Sequence, residues 1–107
     1  MVIEQYDIVL VSLDPTIGSE IKKTRPCVVI SPNEMNKHLN TLVIAPMTST
    51  GKSYPTRVAI EYAGKSGWVV IDQIRTIDQK RIVKHLGIVK PKVIVDLKAA
   101  IKETFVD

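Results

Sequence analysis

Thr41-Leu42-Val43-Ile44-Ala45-Pro46-Met47 is apolar from its second residue to its last. The run is too short for a typical helix and rich in β-branched residues, so it reads as a strand. A strand without polar alternation is buried on both faces, and so it belongs at the centre of a sheet. Pro46 donates no hydrogen bond, which implies a bulge or an edge near the end of this strand. The remaining segments must therefore supply neighbours on both sides of it.

Upstream, Tyr6 to Leu13 contains Ile8-Val9-Leu10-Val11 and reads as a first strand that Asp14-Pro15 ends. A polar loop runs from Thr16 to Arg25, too long for a tight hairpin. Pro26 opens a second strand that reaches Ile30, with the proline at the first position. Ser31-Pro32-Asn33-Glu34 predicts a short helix ending near His38, with a serine cap and Glu34 completing a capping box.

Downstream, Thr48 to Pro55 is a second polar loop. Thr56 to Glu61 alternates, which puts Val58 and Ile60 on one face. Ala63 to Gly67 reads as a turn, and Trp68 to Ile74 as the next strand. Arg75-Thr76-Ile77-Asp78 leads into a short piece around Arg81 to Val89. Lys90-Pro91 starts a C-terminal helix whose apolar stripe is Val93, Leu97, Ala100, Ile101 and Phe105. The expected fold is α+β and mostly β. About five strands in a chain this short must curl to bury their surface, which predicts a small barrel. Residues 1–107 read as a single domain.

Composition excludes several classes. No apolar run approaches the ~18 residues of a membrane span, and the start has no secretory pattern, so the expected address is cytoplasmic. Cys27 is the one cysteine, so it has no internal disulfide partner, and its apolar surroundings predict an inert core thiol. Asp, Glu and His show no metal-ligand spacing, and no metal or cofactor is expected. Gly51-Lys52-Ser53 lacks the upstream glycine of a phosphate-binding loop. His38 and His85 read as surface residues. The net charge of +4 suits a polyanionic or acidic partner.

The candidate chemistry lies where the two polar loops meet the strands. Arg25 ends the first loop and Thr48 begins the second. If their strands are neighbours, a guanidinium and a hydroxyl face one phosphate, and an arginine fork matches phosphate oxygens. On pattern alone, Arg25 reads rather as a solvated loop end than as a functional residue. Lys22, Lys23, Lys52 and Arg57 add charge suited to an RNA backbone. Tyr54 and Trp68 can stack on bases, though Trp68 also reads as a core aromatic.

Leu13-Asp14-Pro15-Thr16-Ile17-Gly18-Ser19-Glu20, with Arg25-Pro26 after it, resembles the opening of the MazF/PemK family of toxin–antitoxin ribonucleases. Ala45-Pro46-Met47-Thr48-Ser49, Tyr54-Pro55 and Asp72-Gln73-Ile74-Arg75-Thr76-Ile77-Asp78 match in order. The resemblance covers nearly the whole chain. It implies an SH3-like barrel with added helices, working as a homodimer with RNA in a groove across its interface. It implies metal-independent, sequence-selective cleavage of single-stranded mRNA that leaves a cyclic phosphate and a 5′-hydroxyl. The family's catalytic arginine and threonine fall on Arg25 and Thr48, and its loop glutamate falls on Glu20. Ser19 and Gln73 match RNA-contacting positions; Lys22, Lys23, Ser49, Lys52 and Tyr54 complete the expected RNA-binding set. A cognate acidic antitoxin is the implied protein partner, and no membrane partner is expected.

Arginine is a poor general base because its pKa exceeds ~12, and Glu20 is chemically better suited. The stretch Ile21-Lys22-Lys23-Thr24 departs from relatives with a glycine or small residues before the arginine. One branch of the family uses an Asp, Arg and His set. Asp72 matches its aspartate, but Val70 and Ser19 occupy the other two positions, so Asp72 reads as structural. Two other functions are open. One is a gyrase poison on the same fold, whose Trp-Gly-Ile end is replaced here by Thr104-Phe105-Val106-Asp107. The other is an RNA-binding module without chemistry.

Overall fold

β-branched residues crowd the segments that pair. In a computed structural model, which describes residues 2–12 and 24–106, they form a curled antiparallel sheet. The strands are β1 (Asp7–Ser12), β2 (Thr24–Val29), β3 (Thr41–Thr48), β4 (Arg57–Tyr62), β5 (Lys65–Val70), β6 (Arg75–Asp78) and β7 (Ile82–Ile88). Helix α1 (Asn33–His38) follows β2, and α2 (Pro91–Phe105) closes the described chain. The order across the sheet is β4-β5-β3-β2-β1-β7, with β6 paired to β3.

β3 is central, as its apolar run requires. One edge pairs with β2 through Cys27–Pro46, Val28–Ala45 and Val29–Ile44. Along the other edge β3 pairs with β6 from Thr41 to Ile44, then with β5 at Met47 and Thr48. Pro46 sits where the partner changes, so its missing amide falls at a break in the ladder.

Alternation sends β3 side chains into two cores. Ala45 and Met47 join Ile8, Val28, Val58, Ile60 and Val69 beneath Val93, Leu97 and Ala100 of α2. Leu42 and Ile44 join Val9, Val11, Cys27, Val29 and Ile77 on the other side. Leu97 is fully buried, and truncating such a leucine to alanine typically costs about 2–5 kcal/mol.

Several sequence expectations need correction. β2 begins at Thr24 rather than Pro26, because Thr24 and Arg25 pair with Ser12 and Val11. Pro26 is tolerated inside the strand because it lies one residue past the end of the β2–β3 ladder. No side chain caps α1. The Ser31 hydroxyl instead bonds Asn36 Oδ1 at 2.5 Å and accepts from the Val43 amide at 3.0 Å, tying α1 to β3. Gly67 lies within β5 rather than in a turn. The strand expected to reach Ile74 stops at Val70, and Ile71–Gln73 forms a 3-10 turn before β6. The segment from Arg81 to Val89 is mostly strand β7, antiparallel to β1. Phe105 lies outside the buried stripe of α2, which holds Val93, Leu97 and Ala100.

Candidate active site

β2 and β3 run antiparallel, so the start of one lies beside the end of the other. The register pairs Cys27 with Pro46. Carried two residues further, it sets Arg25 at the level of Thr48. Alternation puts both side chains on the face that Cys27 and Ile44 share. The two strands have no ladder at this level, which leaves an opening between them.

A groove of about 430 Å³ lies here, lined by Arg25, Thr48, Ser49, Tyr62, Lys65 and Gly67 among others. Its far wall is the β4–β5 hairpin. Ala63 and Gly64 turn that hairpin with φ of 53° and 77°, the two positive angles a tight hairpin of this hand needs. The turn delivers Lys65 to the groove as a second cation beside Arg25.

The Thr48 hydroxyl is already oriented. It accepts from the Thr50 amide at 3.2 Å and lies 3.2 Å from the Thr50 hydroxyl. Beneath, Cys27 is fully buried. Burial pushes its thiol up to about 12, against the opposing pull of the Arg25 and Arg75 guanidiniums. Arg75 is paired opposite Ile44 on β6, and so projects to the same face of the sheet as Arg25.

Of the other expected residues, some reach the groove and some lie apart. Ser49 shares the groove with Arg25 and Thr48. Lys52 and Tyr54 are exposed on the β3–β4 loop and do not line it. The Arg57 guanidinium stacks 5.1 Å from the Tyr54 ring centre, so both shape this loop. Gln73 is exposed in the 3-10 turn after β5, away from the groove lining. Asp72 accepts from the Thr56 hydroxyl at 2.9 Å, a tie between that turn and the start of β4. Trp68 is half-buried, paired opposite Thr48, and lines a cleft beside α2 that adjoins the groove and shares Ser49, Tyr62 and Gly67 with it. Glu20, Ser19, Lys22 and Lys23 lie outside the described residues.

The two histidines are not neighbours. His38 pairs with Glu34 along α1 at 3.6 Å, and His85 faces the buried Asp7 carboxylate at 3.2 Å. Among the described residues, no three His, Cys, Asp or Glu side chains group as a metal site. Lys65, Arg75 and Gly67 are the residues near the site that sequence reasoning assigned no role. Only strand pairing brings them to it. The two-residue turn Ala63-Gly64 was the available signal for Lys65.

The sequence pattern described as PemK-like, MazF-like toxin of type II toxin-antitoxin system matches residues 4–105. The chain belongs to this family. It is 33% identical over 96 residues to the endoribonuclease toxin MazF of Escherichia coli K12, covering 89% of this chain and 86% of that protein. It is 40% identical over 82 residues to the endoribonuclease PemK of Escherichia coli, covering 72% of this chain and 62% of that one. A crystal structure of MazE–MazF from Deinococcus radiodurans superposes with a TM-score of 0.81 at 26% identity, over 96% of this chain and 95% of that one. The MazF-like fold accounts for the curled sheet with its C-terminal helix. No helix among the described residues is long and apolar enough to cross a membrane.

Proposed function

We propose that this chain is the endoribonuclease toxin of a toxin–antitoxin pair, cutting single-stranded mRNA in the cytoplasm without a metal ion. One observation carries the reading: Arg25 and Thr48 stand at one level of facing strands, on one face, at a groove that also holds Lys65. A phosphodiester placed there meets a guanidinium and a hydroxyl at once.

The RNA supplies the nucleophile. Its 2′-oxygen attacks the adjacent phosphorus, the bond to the 5′-oxygen breaks, and a cyclic phosphate and a 5′-hydroxyl result. Holding the phosphate still makes this an intramolecular step. Arg25 stabilises the charge that builds on the phosphoryl oxygens, and Thr48 donates a hydrogen bond to them. The Glu20 carboxylate takes the 2′-proton, and solvent water gives the departing 5′-oxygen the proton that completes the 5′-hydroxyl. Ser19, Lys22, Lys23, Ser49, Lys52, Tyr54 and Gln73 bind the flanking RNA and make cleavage sequence-selective. The toxin works as a homodimer, and an acidic antitoxin segment folds over its basic groove.

Incubating the protein with a long RNA in EDTA tests the reading. Cleavage in EDTA that Arg25→Ala reduces by about 10²–10³-fold supports it. Tight binding to RNA that stays intact indicates a binding module instead. Intact RNA with inhibited gyrase indicates the gyrase poison.

A further inference from the structure

Gly67 has an extended backbone, so its φ does not explain a glycine there. Its surroundings do. A Cβ built on Gly67 would lie 2.6 Å from the Thr48 carbonyl oxygen and 3.4 Å from the Thr48 carbonyl carbon. Both are backbone atoms, so no side-chain rotation relieves the clash. β5 therefore presses directly under the last residue of β3. This is also where β3 leaves β2 and turns to pair with β5, through Thr48 and Trp68.

The side chain of the same residue is held as well. The Thr50 amide and hydroxyl both lie 3.2 Å from Thr48 Oγ1. Gly67 sets the depth of the Thr48 backbone, and Thr50 sets the direction of its hydroxyl. We infer that Gly67 and Thr50 are positioning residues for Thr48, required for the rate of cleavage and not for holding RNA. This rests on the reading of Thr48 as a catalytic group. A misplacement on the order of 1 Å at a reacting group can cost roughly 10²-fold in rate.

Single-turnover cleavage of one long transcribed RNA, at rising excess of protein, separates the maximal rate from the half-saturating concentration. Gly67→Ala is expected to lower the maximal rate by about 10–100-fold, with half-saturation unchanged within about twofold. Thr50→Val keeps the side-chain shape at an exposed site, and should lower the rate by a smaller factor of about 3–10. Neither change should slow the residual rate of Thr48→Ala further, because both act through that side chain.

An unchanged maximal rate overturns the inference. So does a shift in half-saturation alone, or an equal further loss in the Thr48→Ala background. Should Gly67→Ala melt far below the parent protein, Thr50→Val decides by the same criteria. A parent protein that cuts no RNA, or an Arg25→Ala variant that cuts as fast, defeats the nuclease reading itself. Normal cleavage in Gly67→Ala and Thr50→Val defeats the positioning role alone.

Discussion

The Cys27 thiol lies 3.4 Å from the carbonyl oxygen of Arg25, two residues back along the same strand. The thiol is fully buried, and burial pushes its pKa from 9.0 up to about 12. It is therefore neutral at physiological pH, and a poor nucleophile. A thiol-specific reagent should leave the native protein unmodified at pH 7.5 and label one thiol per chain once it is unfolded. Rapid labelling of the native protein would contradict the buried position.

The same shift has a sign in stability. The thiol ionises near pH 9 in the unfolded chain, but only near 12 in the folded one. Its contribution is complete below pH 9 and is lost as pH rises toward 12. Tyr6 is raised by burial in the same direction. Denaturant unfolding between pH 8 and 11 should show falling stability, with a shallower fall in Cys27→Ala. Equal slopes in the two proteins would reject the assignment.

Ala63 has a φ of 53°, a left-handed angle that costs a non-glycine residue roughly 1–2 kcal/mol. The adjacent Gly64 has a φ of 77°. Asn-Gly is the favoured pair for this turn. Ala63→Asn should stabilise the protein by about 0.5–1 kcal/mol in chemical denaturation. A loss of stability would contradict the turn geometry.

What the sequence revealed follows from burial. The run from Leu42 to Met47 is legible because β3 faces two cores, so no polar residue interrupts it. β6 and β7 are not, because Arg75, Thr76, Val83, Lys84 and His85 are exposed and dilute the pattern. Ser31 looks like a helix cap from its neighbours alone, yet its hydroxyl answers to Asn36 and to Val43 on a distant strand. Gly67 suggests a turn by its type, but it is glycine because the Thr48 carbonyl leaves no room for a Cβ. Arg25 and Thr48 could be placed at strand ends, where pattern alone reads Arg25 as a solvated loop end. Lys65 was reachable only through its Ala63-Gly64 turn, and Arg75 not at all, since cross-strand pairing alone brings it near.

Arg75 and Arg25 are two guanidiniums on one face of the sheet, both acting on the Cys27 thiol. Arg75 is exposed, and on the proposed reading it meets an RNA phosphate beyond the scissile one. Arg75→Ala should weaken RNA binding and lower its salt dependence by about one phosphate contact. Fluorescence anisotropy at several salt concentrations measures both. An unchanged affinity and slope would remove Arg75 from the RNA path.

The excess positive charge also bears on the antitoxin. An acidic segment is expected to associate faster at low salt, where attraction is least screened. Stopped-flow association over a range of ionic strength tests this. An on-rate indifferent to salt would count against electrostatic capture.

The central claim is that the Arg25 guanidinium and the Thr48 hydroxyl act on one phosphodiester. Its most direct measurement is cleavage of a long RNA in EDTA by the parent protein, Arg25→Ala and Thr48→Ala, followed by analysis of the new 5′ ends. The account predicts 5′-hydroxyl ends from the parent, and a rate about 10²–10³-fold lower for each variant. Undiminished cleavage by either variant, or new ends that carry a 5′-phosphate, would contradict it.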